Sequence, residues 1–215
     1  MKNLKILSMN LGRGFVPIKD KGKREYLMEF IKKEDYDIVM LQGNRIGSNR
    51  LFKDLGYSYA DSSKNVITLV SKREIVENSS TDELNCSIIS NITMPLELIN
   101  VNCKDSKKFG DVFNICDYYS RPDSKGFVSS RIVAGRFPRE VDTNEFCDLF
   151  DLEDVSTLVG QKTHTKNNRE ILNHFFISRN LEIDSIHKLV GLTENLGIGE
   201  AYPIEASISH KKVLK

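Results

Sequence analysis

Net charge is nearly absent from this chain: 31 basic side chains stand against 30 acidic ones, leaving +1. That balance excludes a global field that would draw the protein onto nucleic acid or an anionic membrane, so any such binding must rest on a local patch. Long hydrophobic runs are missing as well. No segment approaches the roughly 20 apolar residues needed to cross a bilayer. The opening Met1-Lys2-Asn3-Leu4-Lys5 leads straight into a strand-like run, without the apolar core and cleavage site of a signal peptide. The expectation is a soluble, cytoplasmic protein with no membrane partner. Paired cysteines are lacking too: Cys86, Cys103, Cys116 and Cys147 show no Cys-x-x-Cys spacing, which argues against a zinc site and makes a disulfide framework unnecessary. None has the local histidine of a nucleophile, so they read as core residues. Gly12-Arg13-Gly14 lacks the context of a phosphate-cradling loop and reads as a flexible exit from the first strand.

What is present is alternation between short strand-like runs and helical patterns, over a length suited to one domain spanning residues 1–215. Leu4 to Met9 reads as a buried strand, and Glu25 to Lys33 places Tyr26, Leu27, Phe30 and Ile31 on one helical face. Tyr36 to Gln42 is a second buried strand; Ser48 then caps a short helix with Leu51, Phe52 and Leu55 inward and Gly56 at its end. Strand, helix and strand in this order point to a layered α/β domain. Farther on, Val66 to Ser71, Ser87 to Ser90 and Leu96 to Val101 follow at hairpin-like distances, favouring antiparallel pairing. Ile132 to Ala134 is a further strand. A helix is expected from about Asn144 to Phe150, with Asp142 and Glu145 as its capping box. Ile171 to Ser178 and Pro203 to Ser209 complete the strands, while Lys104 to Phe109 and Pro122 to Ser130 read as loops.

The order of these strands and the residues ending them resembles the endonuclease/exonuclease/phosphatase superfamily, the deoxyribonuclease-like hydrolases. Leu4 to Leu11 is similar to the opening strand ending in that family's Asn, and Asp37 to Gln42 to its strand ending in Gln-Glu. Asn100-Val101-Asn102 resembles the family's Asn-x-His, and Arg131 to Phe137 its strand before Gly-Asp-Phe-Asn. Leu172 to Phe175 resembles the strand bearing Ile-Asp-Tyr, and Gly199 to Pro203 the final Ser-Asp-His-x-Pro. The resemblance implies a four-layer α/β sandwich: two packed, mixed, largely antiparallel sheets flanked by helices.

It also implies a mechanism whose parts are missing here. Family members hold a divalent metal on acidic side chains and use a His with carboxylates to activate water; Mg²⁺ demands such oxygen ligands. In this chain the metal-binding Glu falls on Gly43, and the Asp and Asn of the turn fall on Arg136 and Pro138. The Asp of the penultimate strand falls on Asn173, the middle His on Asn102, and the last Asp-His pair on Glu200 and Ala201. Asn10 alone is retained as such, with Glu200 a conservative change. The resemblance thus implies a degenerate active site, no expected cofactor, and a non-catalytic binding module for a nucleic acid, a phosphorylated ligand or a protein partner.

Two rivals stand beside that reading. One is an active phosphodiesterase or phosphatase in which Asn10, Glu200, Asp105 or Asp111 rebuild a Mg²⁺ or Mn²⁺ site; the other is a pure protein-interaction scaffold. Arg136 itself reads either as an exposed turn residue or as a guanidinium replacing the metal's charge and recruiting an anion. Asn10, Asn102 and Asn173 would then be neutral donors around the same hollow, with Arg13 and Arg45 on its rim; equally, the asparagines read as caps of nearby backbone. His174 alternates with Asn173, so only one of the two faces the cleft. With no carboxylate beside it in sequence, His174 reads as packed rather than as a general base. The basic stretches Lys162 to Arg169, Lys19 to Arg24 and His210 to Lys215 read either as solvated loops or as a phosphate-contacting rim.

Overall fold

The computed structural model describes residues 3–12, 19–43, 52–60, 65–71, 75–81, 84–89, 96–120, 129–159, 173–198 and 201–211. Twelve strands are seen among them: β1 Leu4–Asn10, β2 Ile38–Gln42, β3 Ser58–Ala60, β4 Val66–Val70, β5 Ile75–Ser80, β6 Leu84–Ile89, β7 Leu96–Asn102, β8 Ser130–Arg136, β9 Leu152–Asp154, β10 Asn173–Ser178, β11 Leu181–Lys188 and β12 Ile204–His210. Four helices accompany them: α1 Lys21–Glu34, α2 Phe109–Ser120, α3 Thr143–Phe150 and α4 Val190–Leu196.

The strands form two six-stranded sheets, ordered β11-β12-β1-β2-β4-β3 and β5-β6-β7-β8-β10-β9. Each has one parallel pair, β1 with β2 and β7 with β8, among otherwise antiparallel neighbours. A parallel pair needs a crossover connection, supplied by α1 in the first sheet and α2 in the second. The hairpin reading holds for β6 and β7, which the unexpected strand β5 joins; β4 is antiparallel as expected, but its partners are β2 and β3 in the other sheet.

Burial follows from alternation along each strand. Leu4, Ile6, Ile38 and Met40 of the first sheet meet Leu96, Leu98, Ile132, Ala134, Phe175 and Ile177 of the second in a central apolar layer. The opposite faces are buried as well. Leu27 and Ile31 of α1 with Leu192 and Leu196 of α4 cover Leu7, Met9, Val39 and Leu69. On the other side, Phe109, Val112 and Cys116 of α2 with Phe146 and Phe150 of α3 cover Ile99, Val101, Val133 and Phe176. Each fully buried Leu, Ile or Phe contributes roughly 1.5–3 kcal/mol, and sheets covered on both faces carry near-continuous apolar runs.

Local boundaries differ from expectation in instructive ways. Helix α1 starts four residues before Glu25, and its inward stripe is Leu27 and Ile31; Tyr26 stays partly exposed, its hydroxyl accepting from Asn195 Nδ2 at 2.7 Å. Of the helix expected after β2, the described residues show a 3₁₀ turn at Lys53–Leu55, with Phe52 and Leu55 buried; Ser48 and Leu51 lie outside the described residues. Lys104 to Phe109 is not all loop, because Asp105 caps a 3₁₀ turn at Ser106–Lys108 that runs straight into α2. Asp142 caps α3 as expected, its carboxylate accepting from Asn144 N at 2.9 Å and Glu145 N at 3.2 Å. Asp142→Ala is expected to lower the unfolding free energy by about 1 kcal/mol with an unchanged denaturant slope; no loss would mean that water caps the helix equally well.

Candidate functional site

The central layer changes character along its length. Reading the inward positions in order, β1 gives Leu4, Ile6, Ser8, Asn10; β2 gives Ile38, Met40, Gln42; β7 gives Leu96, Leu98, Asn100, Asn102; β8 gives Ile132, Ala134, Arg136. Antiparallel β10 runs the other way, from Asn173 to Phe175 and Ile177. Apart from Ser130, which opens β8 beside Leu96, every one of these strands is apolar at one end and polar at the same other end. That polar end lies at the carboxyl termini of both parallel pairs, where α/β sheets bind ligands.

Hydrogen bonds replace apolar contact there. Gln42 Nε2 donates across the sheets to Asn100 Oδ1 at 2.8 Å. Asn100 Nδ2 donates back to the Ile67 carbonyl at 3.0 Å and lies 3.3 Å from both Leu41 O and Thr68 Oγ1. Ser8 Oγ accepts from Gln42 Nε2 at 3.3 Å. One residue farther out, Asn102 Nδ2 donates to Asn65 O at 3.3 Å, the carbonyl that also accepts from Gly43 N at 2.9 Å. Asn10 Oδ1 accepts from Gly12 N at 2.8 Å and so closes the turn leaving β1.

Register gathers the expected positions. Asn102 lies directly beside Arg136 in the parallel ladder, and Arg136 directly beside Asn173 in the antiparallel one, giving a row Asn102, Arg136, Asn173 on the second sheet. Asn10 lies beside Gln42 on the first sheet. Asn10, Asn102 and Asn173 are buried and Arg136 is half-buried, so Arg136 is not the exposed turn residue of the simpler reading. Gly43 follows Gln42, and Pro138 and Ala201 are buried. Arg13, Arg45, Glu200 and the stretch Lys162 to Arg169 lie outside the described residues. Lys21 to Arg24 form the first turn of α1, the helix that follows Asn10 in the chain.

Two features beside the row hold it in place, one of the backbone and one of side-chain packing. Gly135 adopts φ 129°, and a Cβ there would fall 2.0 Å from the Val101 carbonyl oxygen, so only glycine lets β8 lie this close to β7. Phe137 packs edge-on against His174 and Phe176 at 5.5 and 5.1 Å.

His174 has a carboxylate partner that its sequence neighbours do not show. Its Nδ1 lies 2.7 Å from Asp154 Oδ2, and Asp154 Oδ1 in turn accepts from Ser156 N at 3.0 Å and from the Ser156 hydroxyl. The ring stacks on Phe176 at 5.3 Å. His174 therefore ties β10 to β9 on the α3 side of the second sheet, with Asn173 on the opposite, inward face. The packed reading of His174 is the one this placement supports, although the partner that fixes it comes from β9.

Among the described residues, the inward strand ends supply no carboxylate, the ligand a hard divalent cation asks for; Glu200 lies outside them. Among the described residues no group of three His, Cys, Asp or Glu side chains gathers as a metal site, and the strand ends offer carboxamides and one guanidinium. Asp105 caps the 3₁₀ turn with Oδ1 accepting from Lys107 N at 3.0 Å, and Asp111 is exposed on α2, outside the second sheet, so neither joins the row.

At the opposite end of β1 a surface hollow of about 350 Å³ has a different character. Lys5 Nζ lies 2.9 Å from Glu34 and 3.6 Å from Glu205, and Tyr36 donates to Glu205 at 2.5 Å. Burial by itself lowers the Lys5 ammonium, but its hydrogen bond to Glu34 and the charge of Glu205 leave it above the usual lysine value. This is an internally satisfied ion cluster joining α1 to the first sheet.

No sequence-family model matches the chain, and no curated protein matches it in sequence. Solved structures do match in shape. The catalytic domain of human Nocturnin with a bound sulfate anion superposes with a TM-score of 0.71 at 11% identity, over 98% of this chain and 94% of that one. The TDP2 protein of D. rerio, complexed with single-strand DNA product, gives 0.69 at 13% identity over 97% and 100%. An endonuclease/exonuclease/phosphatase from Bacteroides vulgatus gives 0.69 at 12% identity over 98% and 100%. With two six-stranded sheets, helices on both outer faces and these superpositions over nearly its whole length, the chain has the endonuclease/exonuclease/phosphatase fold.

Proposed function

We propose that this chain is a non-catalytic binding module that holds a phosphate-bearing ligand at the polar end of its central layer. The observation that carries this reading is the row Asn102, Arg136, Asn173 facing Asn10: buried amides and a guanidinium occupy the positions at which the resembled hydrolases place metal-binding and water-activating groups. A guanidinium binds oxyanions bidentately and keeps its charge at any ordinary pH. It does not deliver a proton or hold a hard cation, so the arrangement favours holding a phosphate over cleaving one. The sulfate in the human Nocturnin structure and the DNA product in the D. rerio TDP2 structure support phosphate as the ligand chemistry.

Two measurements test it. Hydrolysis of phosphomonoester and phosphodiester substrates with Mg²⁺ or Mn²⁺ is expected to stay at background; turnover that disappears with chelator would overturn the reading and favour a rebuilt metal site through Glu200. Inorganic phosphate titrated at low salt is expected to bind, and Arg136→Ala to weaken it by about tenfold or more.

A further inference from the structure

We infer that the site selects a phosphate oxyanion that still carries a proton, as hydrogen phosphate or as the monoanion of a terminal phosphomonoester, over fully deprotonated or diesterified anions. The inference rests on the anion-binding reading above and adds what the ligand must donate.

The orientation of each buried amide follows from its partners. Asn10 receives Gly12 N on Oδ1, which leaves Nδ2 as a buried donor without a hydrogen-bond acceptor. Asn102 gives Nδ2 to Asn65 O, which leaves Oδ1 as a buried acceptor without a donor. Flipping either amide would set like against like, donor on donor at Asn10 and acceptor on acceptor at Asn102. The two side chains are 2% and 4% exposed, so bulk water does not satisfy these atoms.

The site therefore presents donors from Asn10 and Arg136 together with buried acceptors on both sides of Arg136 in the ladders, Asn102 Oδ1 and Asn173 Oδ1, and a third, Gln42 Oε1, beside Asn10. A sulfate or a phosphodiester offers only acceptor oxygens. Against Asn102 Oδ1 either would set lone pair on lone pair and leave the buried acceptor unsatisfied. Hydrogen phosphate has an O–H for that acceptor and bare oxygens for the two donors. A buried polar group built to pair with a ligand hydroxyl rejects the analogue lacking it far more strongly than a missing methylene is rejected. Asn102 is thus assigned as the specificity-determining residue, reading the proton rather than the charge. Internal phosphates of a nucleic-acid backbone carry no such proton, so the ligand class narrows to a free phosphate or a chain-terminal one.

Competition binding on the intact chain separates the possibilities. At neutral pH inorganic phosphate is expected to bind at least about tenfold more tightly than sulfate. At pH 5, below the second phosphomonoester ionisation near about 6, ethyl phosphate and diethyl phosphate both carry one negative charge. Ethyl phosphate is expected to win by a similar factor. Comparable affinity of ethyl phosphate and inorganic phosphate assigns the site to chain-terminal groups, and loss of the ethyl ester assigns it to free phosphate; both support proton selection. In Asn102→Ala the phosphate-to-sulfate ratio is expected to fall severalfold, and in Asn102→Ala with Asn173→Ala to fall further; an unchanged ratio in both variants overturns the inference. Equal binding of sulfate and phosphate by the unaltered chain overturns the inference while leaving the anion site standing. Binding of neither anion overturns the anion site itself.

Discussion

Replacing Gly135 with alanine is expected to lower the stability of this chain by more than about 3 kcal/mol, enough to prevent recovery of folded protein if the native state is of ordinary stability. Two separate penalties coincide at this position. Its φ of 129° lies where side chains are strained, at about 1–3 kcal/mol. The added Cβ would also fall 2.0 Å from the Val101 carbonyl oxygen and 2.9 Å from its carbon, which are main-chain atoms with no rotamer to yield. Separating β7 from β8 to relieve the clash would break the ladder that seats Arg136 beside Asn102. Gly56→Ala is the control: its φ is 71°, but nothing lies within 4 Å of the position, so only the backbone strain of about 1–2 kcal/mol should appear. Urea unfolding of both variants reads the difference. If Gly135→Ala were no worse than Gly56→Ala, the close approach of β8 to β7 would not be a requirement of the fold.

Arg131→Met should be nearly as damaging. Arg131 and Glu97 lie opposite each other in the parallel ladder, with Nε and Oε2 2.8 Å apart and side chains 3% and 2% exposed. Removing the guanidinium takes the ion-pair partner from a carboxylate that is 2% exposed, and breaking a buried pair from one side costs about 3–5 kcal/mol. Removing both charges is a different matter: Glu97→Leu with Arg131→Met is expected to return to within about 1 kcal/mol of the starting protein, because matched apolar groups escape the desolvation penalty. The neighbouring Cys116 thiol, pushed up to about 12 mainly by burial, marks how poorly this region supports an uncompensated negative charge. A single Arg131→Met variant as stable as the parent would show that water reaches Glu97 when the arginine leaves.

Why some of this was legible in the sequence and some was not is a matter of range. The run Leu4, Ile6, Ser8, Asn10 shows both a buried strand and its polar end within seven residues, and Asn100 with Asn102 repeats the pattern on β7. The strand-end substitutions at Gly43, Arg136 and Asn173 were likewise visible one by one. Helix α2 was missed although Phe109, Val112 and Cys116 carry helical spacing, because the polar Lys104 to Lys108 before it conceals its start. Strand β11 hides for another reason. It is an edge strand with one buried residue, Leu181, and a register shift between Ile183 and Ser185 breaks the two-residue alternation. The Asp154–His174 contact and the Gln42–Asn100 bridge join residues 20 and 58 positions apart. No local pattern encodes such pairs; they exist only once the strand order is set.

The graded central layer has a consequence for what this scaffold tolerates. Its apolar half holds the sheets together without reference to direction, whereas Gln42 and Asn100 bond at fixed angles and so lock the distance between the two walls of the polar end. Anchorage and alignment are thus supplied by residues inboard of Asn10, Asn102, Arg136 and Asn173. Of those outermost side chains, Asn10 bonds to its own turn at Gly12 and Asn102 to Asn65, so their exchange is expected to disturb the frame less than exchange of Gln42 or Asn100, which makes the rim of this molecule a fitting on a fixed mount.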